Sequence, residues 1–323
     1  MEETRSRGWR FWLYKRFWVL VLIILSIYVA YVLNLPPLPP AIRLAPEAVF
    51  TIGSFPVTNT VIATVLADVI LLLIAFSVRR SIGSGQLVPA GISGAVEAII
   101  EVIHNMTEST AGKWTRSIFP WFATITLLVL VVNWIELIPG VESIGVFEPS
   151  HLHEEAVCEY NEVLGGVVLV TGDPECSETI VPFLRVASTD LNFTLALALV
   201  SVVMVQVMGV RALGPGYFTK FFNVKTLFKV PMLGVIDFAV GLLEIISEIA
   251  KVLSFSFRLF GNIFAGSVLL LVIGSLVPVF VPSAIYLLEF FVGGIQAIVF
   301  GMLTMVFMSQ ATQGHGEHAE EGH

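Results

Sequence analysis

Arg258 lies inside an unbroken apolar stretch, residues 231–281. A cation at the centre of a bilayer costs from about 3 to more than 10 kcal/mol, so it persists there only against water, a partner charge or a protein interior. The residues that follow read Leu259-Phe260-Gly261-Asn262. On a helix advancing 100° per residue, Asp237, Glu244, Glu248, Lys251, Arg258 and Asn262 fall within about 40° of Glu244. This is one hydrophilic seam on an otherwise apolar cylinder. It has two readings. Internal salt bridges, such as Glu248 with Lys251, would merely let the helix pack. Alternatively the seam lines water and faces a second charged body, and its length, with Arg258 in its midst, favours this reading.

A second seam lies in the last apolar run, where Glu289 and Gln296 are seven residues apart and share a face. A single Glu in a span could be a protonated structural group. Two embedded seams of opposite formal charge point instead to ion or proton movement. Asn133 and Glu136 close the third apolar run. Ser188, Asp190 and Asn192 open the fourth, where Asp190 could equally be a helix cap.

These groups need elements to hold them, and the composition says which. Of 323 residues 56% are apolar and 13% charged, and mean hydropathy is +0.89. A soluble domain would be about a quarter charged, so the chain reads as an all-α polytopic membrane protein. Its net charge of −8 averages over acids clustered outside the spans, and no basic surface suits nucleic acid. Spans are expected at 57–78, ending at Arg79-Arg80, then at 118–138, 190–210 and 283–308. The stretch 234–276 is helical throughout. At about 1.5 Å per residue it reaches roughly 60 Å, so it either tilts strongly or breaks into two spans. Residues 90–116 are amphipathic: Val96, Ile99, Ile100 and Ile103 oppose Glu97, Glu101 and His104, which predicts a helix at the membrane surface or against other helices.

Residues 1–34 carry Arg5, Arg7, Arg10, Lys15 and Arg16 before the apolar run 17–33. This is a signal anchor or an additional span, with a removed signal peptide as the alternative. A Pro-rich external linker follows at 35–56. Lys and Arg concentrate at the N-terminus, in 79–116 and in 211–229, whereas 34–56 and 139–187 hold one Arg each, Arg43 and Arg185. The bias orients the N-terminus and, with six spans, the C-terminus to the cytoplasm. The external acidic insert, 141–187, contains Cys158 and Cys176, which could form a disulfide or remain thiols, and a short strand and turn at 165–174. His151 and His153, like the His/Glu tail at 314–323, fit solvated acidic segments better than a metal site.

Together these residues resemble subunit a of F-type ATP synthases, the membrane stator against which a rotor ring turns. The resemblance rests on the run Arg258 to Gly266 (Arg-Leu-Phe-Gly-Asn-Ile-Phe-Ala-Gly), on Glu244 and Ser247 before it, on Gln296 with Ala297 and Phe300, and on Asn133, Glu136 and Pro139. It covers residues 50–313, with the membrane domain placed at 57–313. It implies five family-type spans, with long tilted helices wrapping the ring, plus the extra N-terminal span and the amphipathic helix. It implies partners: a ring of small two-helix proteolipids, a peripheral-stalk subunit b, other ATP synthase subunits and the lipid bilayer. The signal-like start and the basic cytoplasmic loops point to a bacterial plasma membrane, with an organelle membrane as the alternative. It also implies roles. Arg258 would face the ring carboxylate and separate two half-channels. Glu244 and Ser247 would belong to the cytoplasmic path, Asn262, Glu289, Gln296, Asn133 and Glu136 to the external one, and Glu248 and Lys251 would lie along the same pathway. No nucleotide or other cofactor is expected, since no Gly-rich phosphate loop is present.

The chain departs from that pattern at Ser267, nine positions after Arg258, where an acidic or His residue is common. Glu289 is expected to supply the carboxyl that Ser267 lacks. A self-contained transporter would show internal repeats, and none is found; a scaffold would have little use for two polar seams.

Overall fold

The computed structural model describes residues 21, 24, 25, 28, 45–53, 55–83, 92–138, 144–148, 179–221, 231–277 and 281–313. Cys158, Cys176, His151, His153, the 165–174 segment, the tail 314–323 and most of 1–34 lie outside these. Among the described residues six long helices dominate: α1 (Asn59–Gly83), α2 (Ile92–Ala111), α3 (Thr115–Ile135), α4 (Leu191–Leu213), α5 (Pro231–Leu276) and α6 (Val281–Thr312). Short 3₁₀ turns precede α3 and α4 and follow α4. Two antiparallel hairpins cap one end: β1 (Ala48–Ile52) with β2 (Phe55–Thr58), and β3 (Gly145–Glu148) with β4 (Thr179–Pro182).

Five helical segments among the described residues are long and apolar enough to cross a membrane: Asn59–Arg80, Ser93–Ile135, Leu191–Thr219, Phe238–Gly274 and Val281–Thr312. Large apolar side chains lie open on their outer faces, Leu72, Leu243, Phe257 and Phe291 among them. Lipid is the natural solvent for such faces, and a helix satisfies its own backbone there. The long stretch does not break. No proline occurs between Pro231, the first residue of α5, and Pro278 just past its end. At 46 residues α5 is about 69 Å long, so it fits a hydrocarbon layer of about 30 Å only by lying obliquely.

Helix α3 packs antiparallel to α6, and Gly301 shows how tightly. A Cβ there would stand 1.9 Å from Thr126 Oγ1 and 2.9 Å from the Phe122 ring, so only glycine fits the crossing. Helix α2 joins this layer through Ile103, Thr107 and Ala111, and Ser309 of α6 donates to the Thr110 carbonyl. Glu97, Glu101 and Glu108 of α2 face outward. Ile99, expected on the apolar face, is outward too, so that face is narrower than its sequence spacing suggests.

At the hairpin end a buried polar collar ties the elements. Asp190 caps α4, accepting from Asn192 N at 2.9 Å, and its other oxygen accepts from Thr60 Oγ1 at 2.9 Å. Asn59 donates to the Pro182 carbonyl. The cap reading of Asp190 is the one realised, in a site where the carboxylate also holds α1 to α4.

Candidate functional site

Helices α5 and α6 run antiparallel, and their register brings the two seams together. Asn262 Nδ2 donates to Gln296 Oε1 at 2.8 Å. One turn further along α5, Gly266 lies beneath Glu289: a Cβ on Gly266 would be 2.8 Å from Glu289 Oε1. On the other side Ser267 Oγ donates to Glu136 Oε1, joining α5 to the end of α3. Asn133 bridges three elements: its amide donates to the Gly293 carbonyl at 3.2 Å, and its Oδ1 accepts from Ser188 Oγ at 2.6 Å. Trp134 stacks on Phe290 and donates to its carbonyl.

Between these groups is a cavity of about 200 Å³ lined by Asn133, Glu136, Asn262, Gly266 and Glu289, with Ile263, Leu269, Leu288 and Val292 completing its wall. Its wall is mostly apolar, with the side chains of Asn133, Glu136, Asn262 and Glu289 set into it, and at that size there is room for several waters beside those groups. Two carboxyls and two amides around such a space form a set able to accept, hold and pass a proton.

The α5 seam straddles the border of the buried face. Glu248 lies on its inner side and is 9% exposed, near the row of Phe255, Leu259 and Ile263. It accepts from Lys251 Nζ at 3.0 Å, and Lys251 sits 4.9 Å from the centre of the Phe307 ring. The internal pairing raised for these two residues is therefore present. Glu244 is half-buried and Ser247 exposed. Asp237 falls on the α5 backbone, with its side chain outside the described part. Arg258 is on the outer side of the border, exposed, with Nη2 3.4 Å from Ser254 Oγ and no ion-pair partner among the described residues. Asn262, one turn on, links that outer line to the cavity.

Comparison with known proteins decides the family. The family model described as ATP synthase A chain matches residues 57–309, most of the chain. The chain belongs to that family. Relatives include proteins named ATP synthase subunit a from Mycobacterium marinum, 30% identical over 266 residues and covering 81% of this chain and 89% of that one. The corresponding protein of Campylobacter jejuni is 30% identical over 260 residues, 80% and 89% covered. That of Moorella thermoacetica is 26% identical over 271 residues, 84% and 98% covered. Family membership and the five apolar helical segments make this a multi-pass membrane protein.

Of the residues singled out from the sequence, Asn133, Glu136, Asn262 and Glu289 line one cavity, and Gln296 is joined to it through its hydrogen bond with Asn262. Glu244, Ser247, Glu248 and Lys251 occupy the preceding turns of α5, apart from it. Ser267 was read as a position lacking a carboxyl. Its hydroxyl instead bonds to one, that of Glu136, a pairing across more than a hundred residues that no spacing rule reveals. Gly266, the last residue of the Arg258 run, leaves the space that the Glu289 carboxyl occupies.

Proposed function

We propose that this chain is the proton-conducting stator subunit of a rotary F-type ATP synthase, set against a ring of small two-helix proteolipids in a bacterial plasma membrane, with both termini cytoplasmic. Subunit b of the peripheral stalk and the remaining ATP synthase subunits complete its partners. It has no catalytic site of its own. Two offset aqueous half-channels load and unload the ring carboxylates. The cavity lined by Asn133, Glu136, Asn262 and Glu289 belongs to the external one, together with Gln296, which holds Asn262. Glu244 and Ser247, earlier on α5, belong to the cytoplasmic one.

The observation that carries this reading is the position of Arg258. It is an exposed cation on the outer face of an oblique apolar helix, one turn from the Asn262–Gln296 pair that borders a cavity with two carboxyls. A carboxylate passing Arg258 is held ionised by charge attraction. A proton cannot then cross directly between the half-channels and must travel with the ring. The test is ATP-driven proton pumping in vesicles whose complexes carry Arg258→Ala, with assembly verified by mass. Coupled pumping is expected to be lost in an assembled complex. Pumping at the wild-type rate would remove Arg258 from its central role.

A further inference from the structure

Lys251 precedes Arg258 by seven residues, about 10 Å along the helix axis and on nearly the same line. Both are cations in apolar surroundings, yet they are treated differently. Lys251 donates to Glu248 at 3.0 Å, and its ammonium is turned toward α6, over the Phe307 ring, which itself stacks on Phe255. Its side chain is 25% exposed and that of Glu248 11%. Arg258 is open, with a neutral serine hydroxyl as its neighbour.

We propose that Glu248 is a positioning residue: it neutralises Lys251 and, with Phe307, holds it against α6, so that a rotor carboxylate meets Arg258 as the one open cation on this line of α5. The proposal rests on the stator reading above. A carboxylate responds to every uncompensated charge nearby, and a second free cation about 10 Å away would lower its pKa by about one unit. The ring group would then stay ionised over a longer arc and take up its next proton more slowly. A Glu–Lys pair at i and i+3 cancels that field at source, and the aromatic ring gives the ammonium a seat away from the outer face. The titratable groups of the helices packed against α5 do not duplicate this role. Helix α4 offers Asp190 at its cap, bonded to Thr60, and Arg211 near its far end. Helix α6 offers Tyr286 and Glu289 at the opposite level from Phe307. Glu136, past the end of α3, meets α5 only at Ser267, about four turns beyond Lys251. On α5 itself Glu244 stands two turns before Lys251.

The test uses whole complexes in membrane vesicles and two readouts: ATP-driven proton pumping, and the pH midpoint at which a carbodiimide modifies the protonated ring carboxyl. Glu248→Gln is expected to lower the midpoint by about one pH unit and to slow pumping. Glu248→Gln with Lys251→Met is expected to restore both. An unchanged midpoint in assembled Glu248→Gln complexes, or no recovery in the double variant, would overturn the proposal. Should Glu248→Gln prevent assembly, the double variant alone decides, because it removes both charges and leaves neither Glu248 nor Lys251 uncompensated. It is expected to keep the wild-type midpoint, and a rise would show that the ring already feels Lys251 with Glu248 in place. Arg258→Ala, measured alongside, is expected to raise the midpoint. If it does not, the stator reading fails on its own account.

Discussion

Replacing Gly266 by alanine tests whether the Glu289 carboxyl must stand where it does. The new methyl carbon would be 2.8 Å from Glu289 Oε1 and 3.4 Å from its Cγ and Cδ. The oxygen would have to retreat by about 0.6 Å to reach ordinary contact. The obstacle is the end of a flexible side chain, so the stability cost should be small, below about 1 kcal/mol, and alanine even favours the helix. Function should respond far more, because displacements approaching 1 Å in proton-transfer geometry can cost up to about a hundredfold in rate. The expected result is a complex assembled in normal amount with ATP-driven proton uptake reduced about tenfold, measured in inverted vesicles and normalised to the content of this subunit. Glu289→Gln, which keeps the shape and loses the proton, should fall at least as far, since a positioned acid–base group contributes about a hundredfold or more. Wild-type pumping in both variants would refute the assignment of Glu289 to the path.

Three further outcomes follow from the packing. Ser188→Ala removes the donor to Asn133 Oδ1 in a fully buried setting and should cost about 1–3 kcal/mol, read as a lower unfolding midpoint of the purified complex in detergent. Gly301→Ala should cost about 2–3 kcal/mol through the contact with Thr126 and Phe122. Thr126→Ala, whose hydroxyl lacks a partner among the described residues, should be nearly neutral alone and recover part of that loss in the double variant.

Much of the site was legible because its signals are local. A cation in a long apolar run stands out by desolvation alone, and the helical period aligned Glu244, Glu248, Lys251, Arg258 and Asn262 without any structure. What that period could not say was which side of the seam is inside. The boundary runs between Glu248 and Arg258, and it depends on where α4 and α6 pack against α5. The serine at 267 shows the same limit: it looked like a missing carboxyl because its partner, Glu136, belongs to another helix.

The amino-acid sequence alone determined the membrane class, the helical type and the approximate places of the spans, because hydropathy and the 100° period act over a few residues, while it left the long stretch open between one tilted helix and two spans. The tertiary structure alone decided which groups meet. The antiparallel register of α5 and α6 sets Asn262 beside Gln296, Gly266 under Glu289 and Lys251 over Phe307. That register comes from close packing over the whole length of the bundle, including crossings such as Gly301 against Thr126, where the fit of one small residue depends on side chains far away in the chain.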